Sequence, residues 1–95
     1  MITHFDENLC HQLATTFDHV YTSDPRWTER VVLYAWDTTN NVNIMTGMAR
    51  YANRNVIDAY GMVTVGGEKA HVVRASRELR PEIDSTKVGP FTYEV

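Results

Sequence analysis

The spacing of apolar residues changes once along the chain, near residue 30. Before that point Leu9, Leu13 and Phe17 recur every four residues with Ala14 and Val20 beside them, and Asn8, Gln12, Thr15 and Thr16 stand between. Such spacing gathers the apolar residues into one stripe of a helix. Thr3 or Asp6 can cap its start, and Glu7 lies near the positive end of the helix dipole. Pro25, following Ser23 and Asp24, ends it, because the residue before a proline avoids helical geometry. A helical segment is predicted within residues 1–25.

From residue 30 the period is two. Strands are predicted over 30–36, 42–51, 56–65, 69–77 and 91–95, each rich in β-branched and aromatic residues. The turn formers Asp37 to Asn41 separate the first pair, and Ala52-Asn53-Arg54-Asn55 separates the second. Gly66-Gly67 is a strong hairpin signal. Residues 79–90 are polar and irregular, with Pro81 and Gly89-Pro90 as breakers. Short connections favour an up-and-down antiparallel meander. There is no internal repeat.

Alternation divides each strand between two faces. Ile57, Ala59, Gly61, Val63 and Val65 are small or aliphatic and make a packing face. Val56, Asp58, Tyr60, Met62 and Thr64 make a bulkier one with a single carboxylate. Val31, Leu33 and Ala35 oppose Val32, Tyr34 and Trp36, while Ile44, Thr46 and Met48 oppose Met45, Gly47, Ala49 and Tyr51. Neither set resembles the polar face of a half-exposed sheet. One helix covers one side, so the other must meet a barrel interior, a second subunit, a missing part of the chain, or a ligand.

Composition narrows the function classes. The net charge is −3 with 9 Lys and Arg against 12 Asp and Glu, so the basic stripe of a nucleic-acid binder is absent. The single cysteine excludes an internal disulfide. No apolar stretch approaches the ~20 residues that span a bilayer, and residues 1–10 lack a signal-peptide pattern. A cytoplasmic protein is the expectation.

Tyr34, Trp36, Met45, Tyr60 and Met62 are the candidate ligand-binding residues, since aromatic and thioether groups bury much area and adapt in shape. Asp58, set between Val56 and Tyr60, would act as a general acid if burial raised its pKa, with Tyr60 orienting the substrate. The alternative is an exposed carboxylate or one paired with Arg54 or Arg50. Glu29 reads as a strand-edge charge. His4, His11 and His19 lack the spacing of a zinc site and read as surface or partly packed histidines. Cys10 has no basic neighbour to activate it. Gly66-Gly67 belongs to neither phosphate-binding motif, and no cofactor signature is present.

Trp27 and Glu29 leading into an aromatic strand, a second strand ending at Arg50, Asn53 to Asp58, the Gly-Gly hairpin, and residues 89–95 together form an ordered set. In that order the chain resembles, over residues 26–95, the N-terminal part of the lipocalin-like tandem-barrel proteins related to hydroxyneurosporene synthase (carotenoid 1,2-hydratase). The resemblance implies a calycin-type barrel, of which this chain would hold the opening strands, and an apolar ligand in its lumen. It supplies no catalytic position.

The expected fold is thus mostly β, with α+β organisation. One N-terminal helix (1–25) precedes an antiparallel sheet of about five strands (26–95) in a single domain, as a partial barrel or an open sheet. The expected function is binding of a lipid- or isoprenoid-like molecule without catalysis. The alternatives are a hydratase or isomerase using Asp58, and an oligomerisation domain. Two apolar faces and a last strand without a following turn also point to a homodimer or a fragment of a longer protein.

Overall fold

The computed structural model describes residues 1–3, 6 and 11–94. Four strands, β1 (Glu29–Trp36), β2 (Val42–Tyr51), β3 (Val56–Val65) and β4 (His71–Glu78), form one antiparallel sheet in the order β1-β2-β3-β4. The sheet is open, with β1 and β4 as its edges, and among the described residues it does not close into a barrel.

Local chemistry sets the turns. The Asp37 carboxylate accepts from the backbone N–H groups of Asn41 (2.6 Å) and Val42 (3.1 Å) and from the Thr39 hydroxyl (2.8 Å). These bonds favour its charged form and hold its pKa below the usual carboxylate value. Gly66 and Gly67 both take positive φ, 62° and 71°, which only glycine adopts freely. Between β2 and β3 a 3-10 turn, Ala52–Arg54, ends at Asn55 in left-handed geometry.

That turn also anchors both flanking segments. The Asn53 side-chain amide donates to the carbonyls of Thr22 (2.7 Å) and Asp24 (2.8 Å). Asn55 Oδ1 accepts from the Arg80 backbone N–H (2.9 Å), and the Arg80 guanidinium donates to the Ala52 carbonyl (2.9 Å).

The core lies on the face carrying Met48, Ile57 and Ala59, where Ala52, Leu79, Val88 and Tyr93 complete the buried cluster. It is covered by residues 79–94 rather than by a helix. Within that arm β5 (Lys87–Val88) pairs with β6 (Phe91–Thr92) in a sheet of its own. The expected fifth meander strand at 91–95 is therefore corrected: the chain reverses at Gly89 and lies over the small residues of the packing face. Phe91 sits against Gly61, where a Cβ would stand 3.0 Å from its ring, and Gly89 (φ 55°) presses on Ala75. The Tyr93 hydroxyl reaches Thr46 Oγ1 (2.6 Å) and donates to the Gly47 carbonyl (2.9 Å).

The predicted N-terminal helix is also corrected. Residues 11–28 run in turns and bends, with no α-helix; the portion of that prediction on residues 4–5 and 7–10 lies outside the described residues. Thr15, Thr16, Asp18, His19, Val20, Tyr21 and Thr22 are weak helix formers, and short polar side chains compete for backbone groups. The Thr16 hydroxyl bonds the Asp18 carboxylate, and the His19 N–H closes a turn onto the Thr16 carbonyl (3.1 Å). Phe17 and Val20 still turn toward the sheet, one over Arg50 and the other against the core. Of the predicted stripe, Leu13, Phe17 and Val20 are half-buried, Ala14 is exposed, and Leu9 lies outside the described residues. No helix among the described residues is long and apolar enough to cross a membrane.

Candidate functional site

Strand register brings the candidate ligand residues together. On the face opposite the core, Tyr34 stands beside Met45, Met45 beside Met62, and Met62 beside Val72. One step along, Val32, Gly47, Tyr60 and Arg74 make the next row, and Arg30, Ala49, Asp58 and Ser76 the one after. Trp36 extends the apolar end. Gly47 has a steric role: a Cβ there would lie 2.7 Å from the Tyr60 ring, so the missing side chain lets the ring lie over β2.

An open groove of about 640 Å³ runs along this face, with Val32, Met45, Tyr60 and Met62 at its apolar part and Arg30, Tyr51, Asp58, Arg74 and Ser76 at its polar end. A shallower depression of about 130 Å³ continues it between Tyr34, Trp36, Met45 and Met62. All five candidate ligand residues thus line one continuous face. Met45, Tyr60 and Met62 are half-buried, whereas Tyr34 and Trp36 are 65% and 68% exposed.

Asp58 is half-buried at the polar end. Burial raises its pKa above the ordinary carboxylate value, against the lowering effects of a hydrogen bond from Tyr51 and the positive charge of Arg54. The same environment raises Tyr51, first through burial and then through the neighbouring Asp58 charge. The Arg54 guanidinium lies 4.6 Å above the Tyr51 ring. Asp58 is thus a partly desolvated carboxyl that also feels the positive charge of Arg54.

Sequence reasoning missed two groups. Arg30 and Arg74 lie on the groove face, and extending the alternation one step below Val32, or into β4, would have found them. The second group is a buried polar cluster on the core side. Glu29 Oε2 accepts from His11 Nδ1 (2.7 Å) and from the Gln12 backbone N–H (2.7 Å), while Glu29 Oε1 stands 3.8 Å from Arg50. Arg50 donates to the carbonyls of Phe17 (3.3 Å) and Ile83 (3.1 Å), and its guanidinium lies 4.1 Å from the Phe17 ring centre.

Glu29 and Arg50 are 0% and 1% exposed. The strand-edge reading of Glu29 is corrected, and His11, whose side chain is 1% exposed, is packed rather than on the surface. His19 and His71 are exposed, and His4 and Cys10 lie outside the described residues. The cluster pins the N-terminal segment and the 79–94 arm to the sheet. No group of three or more metal-ligating side chains occurs among the described residues.

Homology places the chain in one family. The chain belongs to DUF8625, a family of unknown function. The match covers residues 2–95, so the groove strands, the polar cluster and the covering arm all lie within the region that defines it. Comparison with curated proteins and with solved structures brings no match. Membership in DUF8625 assigns no activity, and the functional reading rests on the groove.

Proposed function

We propose that this DUF8625 member binds an apolar or amphipathic small molecule, lipid- or isoprenoid-like, along the open face of its sheet. One observation carries the reading: the groove of about 640 Å³ is floored by Met45, Tyr60 and Met62 and has an apolar end and a polar end. Its volume lies within the roughly 300–1,000 Å³ of small-molecule sites, and its apolar floor with a few convergent polar groups is their usual composition. The resemblance to lipocalin-like proteins favours the same ligand class. Trp36, at the far apolar end, is the natural reporter. Titration with fatty acids and isoprenoid alcohols should change its fluorescence, Trp36→Phe should remove that change, and Met62→Asp should abolish binding while the β-sheet circular dichroism is kept. A flat titration across these ligands with the protein folded overturns the reading.

A second reading makes Asp58 a proton donor in a hydratase- or isomerase-type reaction, and the raised pKa of this carboxyl at the groove's polar end supports it. It requires turnover of a bound unsaturated ligand that Asp58→Asn abolishes without loss of binding. Self-association is a third component of the proposal, supported by exposed Leu33, Tyr34, Trp36 and Val73 at one end of the sheet. Light scattering of a homodimer that Trp36→Ala dissociates would establish it, and a monodisperse monomer would remove it.

A further inference from the structure

The polar end of the groove has an unequal charge balance. Asp58 is the one carboxylate among its lining residues, and the positive charge of Arg54 already acts on it. Arg30 and Arg74 enter the same groove from opposite edge strands, β1 and β4, and neither has a carboxylate within 4.0 Å among the described residues. Between them in the register stand Ala49 and Gly47 of β2, the smallest side chains of this face, and Asp58 and Tyr60 of β3, with the Tyr60 ring folded over Gly47. The surface over Ala49 and Gly47 is therefore low, with Arg30 on one side of it on β1 and Asp58 and Tyr60 on the other, beyond which Ser76 and Arg74 stand on β4.

We propose that the groove takes an amphiphile with an anionic head, its carboxylate or phosphate held between Arg30 and Arg74 and its apolar chain lying along Met45 and Met62 toward Trp36. This rests on the groove reading above and adds the chemistry of the head. Guanidinium is the side chain best suited to it, since its planar donors bond paired oxygens of either anion and keep their charge at all working pH values. The row Tyr34, Met45, Met62 and Val72 lies one step beyond Arg74 and two beyond Arg30, so head and tail are separated along the strand direction.

Asp58 makes the binding pH-dependent. The groups around it are Tyr51 of β2, Arg54 of the turn, Arg30 of β1, Arg74 and Glu78 of β4, and Tyr60 on its own strand. Protonated, Asp58 can donate to the head; ionised, it repels it. Because burial raises its pKa, affinity for the anion is highest below that value and falls as pH rises through it.

Calorimetric titration of the full chain, with each amphiphile below its micelle concentration, tests the proposal. Dodecanoate and dodecyl phosphate should each bind at least about tenfold more tightly than methyl dodecanoate, the difference expected of charge-assisted hydrogen bonds. Arg30→Gln and Arg74→Gln should each remove most of that advantage and leave the ester unchanged, and Asp58→Asn should strengthen anion binding at neutral pH and flatten its pH profile. A difference between dodecanoate and dodecyl phosphate identifies the head. Equal affinity for anion and ester, tighter binding of dodecyltrimethylammonium, or capture by anionic vesicles without binding of monomers overturns the anionic head while leaving the groove. Failure of every amphiphile to bind the folded chain overturns the groove as well.

Discussion

The two ends of the four-stranded sheet differ in how they are covered. At the end where β1 begins and β2 finishes, Glu29, Met48, Arg50 and Ile57 are buried under the N-terminal segment and the 79–94 arm. At the opposite end Leu33, Ile44, Val65 and Val73 on the core face, and Tyr34, Trp36 and Val72 on the groove face, are 47% to 68% exposed. The strands and register are continuous across both ends. Backbone pairing thus builds the sheet in full, whereas side-chain burial, which supplies most of the free energy of folding, is concentrated at one end. The covered end holds the fold, and the bare end is where the proposed self-association would occur.

Breaking the covered end should show the largest effects. Glu29→Ala should cost about 3–5 kcal/mol in chemical denaturation, because it leaves the Arg50 charge buried without this carboxylate. The double variant Glu29→Leu with Arg50→Met should recover most of the loss. If Glu29→Ala is neutral, the polar cluster does not hold the N-terminal segment. Next, Ile57→Ala should cost about 2–5 kcal/mol through lost burial and the cavity left behind. Leu33→Ala, on the same face at the bare end, should stay within about 0.5 kcal/mol. Equal losses at the two sites would erase the contrast.

Smaller in effect, Gly89→Ala sharpens the comparison by loosening the covering arm. A side chain there is strained by the positive φ, and its Cβ would stand 2.6 Å from that of Ala75. The expected loss is about 1–3 kcal/mol. Faster hydrogen exchange at Val88 and Tyr93 than in β2 and β3 should accompany it, and uniform exchange throughout would mean that the arm and the sheet open together.

The sequence by itself determined the sheet. Val42–Tyr51 and Val56–Val65 match the period-two segments residue for residue, Gly66-Gly67 closes the β3–β4 hairpin, and the consecutive order of four strands follows from short turns. It also placed Tyr34, Trp36, Met45, Tyr60 and Met62 on one face, because side-chain alternation is a property of the extended backbone and needs no knowledge of neighbours. What only the tertiary structure decided is which face is covered, and by what. Glu29 reads as a flanking charge until His11 and Arg50 arrive from 18 residues before it and from the adjacent strand. Leu13 and Phe17 read as part of a helix until the packing of Phe17 against Arg50, which no local period encodes, competes with weak helix propensity. Phe91 reads as the start of another meander strand until Gly61 and Ala75 offer it and Gly89 a place on the core face. In each case local geometry fixes where a side chain points, but long-range contacts decide what it meets, and these depend on residues far apart in the chain.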